Sequence, residues 1–265
     1  LGVLFKNAAS LENLHHIDTV VLDKTGTLTK NRMTVMEVEM SDATLLGDII
    51  NCMAVNSTAE LTVEEGKVSP IGNPTEGALL MWLQQQGVDY AAVRERYNVI
   101  SQAPFSTETK FMVTEVKEVD RERYIRYIKG APEVVMAMCE DCNVAHYEGV
   151  LRGYQSRAMR TLGFAVEEGG VTHFLGVVGI SDPIREDVAE AINTCMNSAG
   201  VRVIIVTGDT PGTALEIGRQ IGLITSDEGG QIISGPDFAA LSDDEARELL
   251  KGDRLKIISR ARPDD

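Results

Sequence analysis

The sequence has no apolar run approaching the ~18 residues that a membrane-crossing helix requires. Its richest stretches, Ala78–Leu83 and Phe174–Ile180, have the length of core helix turns or strands. The opening LGVLFKNAAS lacks the long apolar segment and cleavage site of a secretory signal, so no signal peptide is expected. Positive charge is scarce as well: 25 Lys and Arg stand against 40 Asp and Glu, a net charge of −15. With no basic face to hold a phosphate backbone, nucleic acid is not expected as a partner. A small polyphosphate is still compatible, because screening over ~8 Å leaves a few local cations in control of such a site. Cysteine is limited to Cys52, Cys139, Cys142 and Cys195. Cys139 and Cys142 form a C-x-x-C with His146 four residues on, but no second cluster supplies a fourth metal ligand. A redox pair would be expected beside a thioredoxin-like βαβ unit, which is not apparent. Reduced cysteines near a helix end, in a cytoplasmic setting, are therefore expected.

What is present is material for a core. The 265 residues suffice for one large domain or two ordinary ones, and 43% of them are hydrophobic. Four short apolar runs end abruptly in polar clusters. Ile17–Leu22 ends at Asp23-Lys24-Thr25-Gly26, Val201–Val206 at Thr207-Gly208-Asp209, Leu255–Ile258 at Ser259-Arg260, and Phe174–Ile180 at Ser181-Asp182-Pro183. Predominantly apolar runs of this kind suit a parallel sheet buried on both faces. Glu186–Ala199 and Pro211–Ile221 carry helical periodicity between them. The pattern predicts a doubly wound α/β domain, with its functional groups at the carboxyl ends of the strands.

The stretch from about Thr34 to Glu168 has another rhythm. Thr34–Met40 alternates like a half-exposed strand. Thr44–Asn56, Pro74–Gln86, Pro132–Cys139 and Val150–Arg160 read as helices, with Asn73 as N-cap and Pro74 at the first helical position. Phe111–Val116 and Tyr124–Ile128 read as antiparallel strands joined by the turn Asp120-Arg121-Glu122. This predicts an α+β module, residues 34–168, inserted between segments 1–33 and 169–265 of the α/β domain. No internal repeat or low-complexity segment is visible.

Chemistry concentrates in Asp23-Lys24-Thr25-Gly26-Thr27-Leu28-Thr29. A carboxylate at the end of a buried strand can be held with backbone N–H groups aimed at an anion, and it is a competent covalent nucleophile. Alone, an Asp before such a Gly is most often a turn cap. The whole heptapeptide, however, is the phosphorylation signature of P-type ATPases, matched at all seven positions. Further segments resemble that family in its own order. Thr75-Glu76-Gly77-Ala78-Leu79 is similar to its acidic segment, and Phe105-Ser106 with Lys110 to its F-S-x-x-x-K element. Lys129-Gly130-Ala131-Pro132-Glu133 is similar to its KGAPE segment and Met159-Arg160-Thr161-Leu162 to its arginine-bearing stretch. Asp182-Pro183-Ile184-Arg185 and Thr207-Gly208-Asp209 match its D-P-x-R and T-G-D motifs.

The resemblance implies a phosphorylation domain of the haloacid-dehalogenase-like kind, with an inserted nucleotide-binding domain built on an antiparallel sheet. It implies Asp23 as phosphoryl acceptor, with Lys24, Thr25, Thr207, Gly208 and Asp209 around it. Phe105 would stack on adenine, Glu76 would accept from the adenine amino group, and Lys110 and Lys129 would line the pocket. Arg160 would reach the phosphates, Asp209 and Arg185 would bridge towards the nucleotide and the hinge, and Asp182 and Arg260 would complete the nucleotide contacts. Magnesium, brought with ATP, would be held by Asp23 and the Thr25 carbonyl.

Two departures matter. Thr107 and Thr109 stand where the family often carries basic residues, which predicts weaker nucleotide affinity. The family's G-D-G-x-N-D motif is not found, and neither are an actuator domain and membrane helices, which would be the chain's partners in a pump; a fragment is expected. No His precedes a Pro, unlike the heavy-metal branch, and Gly176–Arg185 is most similar to calcium pumps of the plasma-membrane or secretory-pathway kind. Pumps for sodium and potassium, protons or magnesium are the alternatives within the family. A soluble haloacid-dehalogenase-like phosphatase would usually place a second Asp where Thr25 stands, and a non-catalytic module would have lost Asp23. Gly72–Gly77 has P-loop glycine spacing, but Ala78-Leu79 replaces the required Lys-Ser/Thr.

Overall fold

A computed structural model of the chain describes residues 16–225 and 229–262. The opening LGVLFKNAAS, on which the signal-peptide expectation rests, lies outside the described residues. In chain order the elements are β1 (Thr19–Asp23), β2 (Thr34–Met40), α1 (Leu46–Val55), β3 (Glu60–Glu64), β4 (Lys67–Ile71), α2 (Pro74–Gln85) and α3 (Tyr90–Glu95). They continue with β5 (Tyr97–Ala103), β6 (Phe111–Glu118), β7 (Tyr124–Gly130), α4 (Pro132–Ala137), α5 (Val144–Ser156), β8 (Arg160–Glu168) and β9 (Val171–Ser181). The last are α6 (Val188–Asn193), β10 (Arg202–Val206), α7 (Pro211–Gln220), β11 (Ile232–Ser234), α8 (Gly235–Ala239), α9 (Asp243–Lys251) and β12 (Ile257–Ser259). They form two compact units, one comprising residues through Asn31 together with those from Ile184 on, the other Arg32–Pro183.

The first unit is built on a parallel sheet in the order β1-β10-β12-β11. Its strands carry β-branched runs because both faces are covered: Val203, Ile205 and Ile257 pack with Val188, Ile192 and Ala214, and Ile204 and Ile258 with Leu255. Helix α7 starts on Pro211, with the Thr210 side chain accepting from the Thr213 amide. Helix α6 covers Val188–Asn193 and widens into a π-type turn over Thr194–Ser198, which together fill most of the predicted 186–199 helix.

The second unit holds a six-stranded antiparallel sheet in the order β2-β9-β8-β7-β6-β5, with the separate hairpin β3-β4 beside it. Helices α1 and α2 bury Ile49, Met53, Leu79, Leu80 and Leu83 against Val116, Ile125, Tyr127 and Phe164 on one face. Helices α4 and α5 bury Val135, Tyr147, Leu151 and Tyr154 against Val113, Ile128, Phe174 and Val177 on the other.

This two-sided burial corrects one expectation. Phe174–Ile180 was predicted as a parallel strand from its unbroken apolar run, but it lies in β9, antiparallel to β2 and β8. An antiparallel strand with helices on both faces acquires the same composition as a parallel one. The boundary between units accordingly falls at Pro183 rather than at Glu168. A second correction concerns Arg160, which was placed at a helix end and instead opens β8. Ala158 takes the left-handed conformation at φ 57°. The Met159 amide then closes back on the Tyr154 carbonyl at 3.0 Å, which stops α5 before Arg160 is reached.

Candidate functional site

Within Arg32–Pro183, the register Phe111↔Gly130↔Gly163 sets the start of β6, the end of β7 and the start of β8 at one end of the sheet. Lys110, Gly130 and Arg160 therefore share that end. The segment before β6 is a tight turn. Lys110 donates its amide to the Ser106 carbonyl at 2.8 Å, and the Ser106 and Thr109 hydroxyls lie 2.8 Å apart. Phe105 enters this turn with 55% of its surface exposed, unusual for so large an apolar side chain with no visible structural task. Gly130 runs close beneath the turn: a Cβ there would come within 2.4 Å of the Lys110 carbonyl and 2.6 Å of the Phe111 Cα. The Lys110 ammonium is exposed and 4.0 Å from Glu133, and Arg160 is exposed opposite Ile180 of β9.

Lys129 sits one residue back on β7, on the α1–α2 face, and is 5% exposed. Its ammonium donates to Glu76 Oε1 at 2.8 Å and to the Asn56 carbonyl. Glu76, in the first turn of α2 and 7% exposed, takes four more donors on Oε2. These are the Thr58 amide at 2.7 Å, the Thr58 hydroxyl at 2.8 Å, the Ala59 amide at 3.2 Å and the Ser57 hydroxyl at 3.3 Å. Burial opposes its ionisation, but the Lys129 charge and the bonds from Lys129 and Thr58 outweigh burial and hold the carboxyl below its ordinary range. Burial pushes the Lys129 ammonium down, and Glu76 partly restores it. A further donor would thus find only Oε1 with capacity to spare.

Asn56 closes the floor: its amide donates to the Met112 carbonyl at 3.2 Å and its oxygen accepts from the Thr114 hydroxyl at 2.8 Å. Asn56, Ser57, Thr58 and Arg94, which brackets them from α3, were not singled out from the sequence. No motif marks them, because they meet Glu76 only through tertiary packing.

In the other unit, β1 and β10 pair in the register Asp23↔Val206, so Asp23 and Thr207 emerge at neighbouring carboxyl ends. Lys24–Thr29 turns sharply. Gly26 takes φ 78°, its amide donates to the Thr29 hydroxyl at 3.2 Å, and the Thr29 amide returns to the Lys24 carbonyl at 3.2 Å. Arg185, although exposed, braces the turn. Its guanidinium donates to the Gly26 and Thr29 carbonyls at 3.1 Å each. Lys24 pairs with Asp209 at 2.7 Å. The loops after β10 and β12 are tied by the Arg260 amide on the Asp209 carbonyl at 2.9 Å and the Ala261 amide on the Thr207 carbonyl at 3.0 Å. Asp23 and Thr25 are exposed, and Thr207 is buried at 4%. Asp182 belongs to the second unit, where Oδ1 accepts from the Arg32 amide at 3.0 Å.

For a metal, the exposed Asp23 carboxylate and the Thr25 carbonyl are hard oxygen donors. Among the described residues no three His, Cys, Asp or Glu side chains are grouped to hold an ion. That donor set fits magnesium arriving with a phosphate ligand and its own waters, rather than an all-protein cage. Of the C-x-x-C residues, Cys139 donates to the Val135 carbonyl at 3.2 Å, with burial and then Asp141 pushing its thiol up to about 12. His146 pairs with Glu39 at 3.1 Å.

The family model for the P-type ATPase cytoplasmic domain N matches residues 46–187. In an alignment that covers 99% of this chain, the sequence is 34% identical to calcium-transporting ATPase PAT1 of Dictyostelium discoideum, covering 26% of that protein. It is 32% identical to the plasma membrane-type calcium-transporting ATPase 10 of Oryza sativa subsp. japonica, and 30% identical to the putative plasma membrane-type calcium-transporting ATPase 7 of Arabidopsis thaliana. The chain spans 30% of the length of each of these two.

Proposed function

The chain belongs to the P-type ATPase family through its cytoplasmic N domain, and from this premise we propose that it is the ATP-binding and aspartyl-phosphorylated part of a calcium pump. The observation that carries the reading is the emergence of Asp23 beside Thr207 at the carboxyl ends of paired parallel strands, inside an unbroken phosphorylation signature. The parallel sheet supports a haloacid-dehalogenase-like phosphorylation domain. The three calcium-transporting relatives support calcium as the ion, and a setting on the cytoplasmic face of a membrane. Among the described residues no helix is long and apolar enough to cross a membrane.

ATP would bind the Arg32–Pro183 unit, its base stacked on Phe105 above the Glu76–Lys129 pair and its phosphates towards Lys110 and Arg160. An Asp23 carboxylate oxygen would attack the γ-phosphorus in line. The new oxygen–phosphorus bond forms as the bond to the β–γ bridging oxygen breaks, and ADP leaves with that oxygen. Thr25, Thr207 and Gly208 would hold the transferring group, and Lys24 would keep Asp209 in place. Magnesium, held by Asp23 and the Thr25 carbonyl, would neutralise phosphate charge. Arg185 would keep the Lys24–Thr29 turn rigid with Arg260 in the same unit, and Asp182 would serve the nucleotide from the Arg32–Pro183 unit.

The test has two arms. In calorimetric titration, Phe105→Ala should weaken ATP binding about tenfold, the scale of one stacking contact, with no loss of thermal stability. With γ-labelled ATP and magnesium, acid-stable label should appear slowly on the wild-type chain and not on Asp23→Asn, slowly because one carboxylate holds the ion poorly. Equal ATP binding by Phe105→Ala, or label persisting in Asp23→Asn, would overturn the reading.

A further inference from the structure

Glu76 is held in place by a turn, not by its own helix. Oε2 is filled by donors from Ser57, Thr58 and Ala59, while Oε1 meets only Lys129. The direction in which Oε1 offers its remaining lone pair therefore depends on where residues 56–59 sit. That stretch leaves α1, whose last carbonyls lack helical partners, and precedes β3. Arg94 on α3 supplies one of those partners and reaches past the helix end as well. Its Nε donates to the Ala54 carbonyl at 2.7 Å and Nη2 to the Ala59 carbonyl at 2.9 Å, with Ser57 at 3.5 Å. One planar fork thus grips both ends of the turn, a task a single ammonium could not perform. The guanidinium stacks 4.9 Å from the Tyr90 ring centroid, and the Tyr90 hydroxyl accepts the Leu61 amide at 3.0 Å. The turn is clamped from outside by Arg94 and Tyr90, and from inside by Glu76 and Lys129.

We propose that Arg94 is a positioning residue for base recognition. By fixing Ala54–Leu61 it aims Glu76 Oε1 at the exocyclic amino group of a bound purine, and so sets a preference for a 6-amino over a 6-keto base. This rests on the base pocket described under the proposed function. An ionised carboxylate can only accept: a 6-amino group donates to it, whereas a 6-keto oxygen sets lone pair against lone pair. Such discrimination requires the acceptor to be held to within a fraction of an ångström, and the turn carries out that holding.

ATP and ITP, which differ in that one group, are titrated calorimetrically into the wild-type chain, Arg94→Ala, Tyr90→Phe and Glu76→Gln. The wild type should prefer ATP at least tenfold. Arg94→Ala should weaken ATP about tenfold and ITP less than twofold, the Thr58 and Ala59 amide resonances should move, and millimolar guanidinium should restore the preference. Tyr90→Phe, a milder change, should lower the ratio in the same direction. A merely structural arginine would weaken both nucleotides equally; that result overturns the proposal. So does an unchanged ratio in Tyr90→Phe, which decides the matter where Arg94→Ala does not fold. Equal ATP and ITP binding by the wild type, or a preference retained by Glu76→Gln, would instead sink the base pocket itself.

Discussion

At the scale of single residues the central fact is the buried Glu76–Lys129 pair. Two opposite charges are held by six hydrogen bonds, five of them on Glu76. Removing one partner strands the other. Lys129→Ala or Glu76→Ala should therefore cost about 3–5 kcal/mol in urea unfolding, far more than loss of an exposed pair. The pair also gives a pH dependence. The Glu76 carboxyl is held below its ordinary value of 4.5 in the folded chain, so its contribution is complete above that value. It is lost as pH falls through the lowered folded value, when the native carboxylate finally takes a proton that the unfolded chain already binds. Urea midpoints for wild type and Glu76→Gln should converge on acidification below about pH 4. A difference that stays constant across that range would show that folding does not lower the Glu76 pKa.

At the scale of elements, the meeting of β7 with the Ser106–Lys110 turn sets the position of Phe105 and Lys110. Lys110 itself adopts φ 61°, and the Ala131 amide donates to its carbonyl at 2.8 Å, so turn and strand end are one braced unit. The absence of a side chain at Gly130 is what permits the approach. Gly130→Ala places a methyl against backbone atoms that cannot rotate away. The expected cost is about 1–3 kcal/mol of stability, with ATP affinity reduced because Phe105 and Lys110 are carried on the displaced turn. Thermal melting and titration of the same sample check both. A melting point and affinity equal to wild type would mean that the turn is not constrained by β7.

At the scale of the whole molecule, the chain is two compact units, with Arg32–Pro183 a continuous insert. That insert has its own hydrophobic core on each face of the sheet and contains Glu76, Phe105, Lys110, Lys129 and Arg160. A polypeptide of residues 32–183 should fold cooperatively and bind ATP within about threefold of the 265-residue chain. Heat-capacity and titration measurements on the excised unit test this. An insert that binds no ATP while the longer chain does would place essential contacts outside it. Phosphorylation of Asp23, by contrast, should require both units in one chain.

Much of this was legible along the sequence, because it depends on neighbours in the chain. Pro74 after Asn73 specified the start of α2, and the Asn73 side chain accepts from the Thr75 and Glu76 amides. Ile17–Leu22 and Val201–Val206 announced β1 and β10 by short runs rich in β-branched residues, and the turn at 120–122 joined β6 to β7. Composition alone could not tell that Phe174–Ile180 runs antiparallel, since burial on both faces gives either kind of strand the same residues. Nor could it tell that Arg160 starts a strand, a matter settled by the left-handed turn at Ala158. Residue identity nominated Glu76 and Lys129 separately. Their pairing across 53 positions, and the grip of Arg94 on the turn between α1 and β3, arise only when α2, α3 and β7 pack together. Local propensity and hydrophobic pattern act over a few residues, so the sequence by itself determined the elements and the chemical groups. The direction of a strand and the partner of a buried charge are settled by desolvation and packing between distant segments, which only the tertiary structure decides.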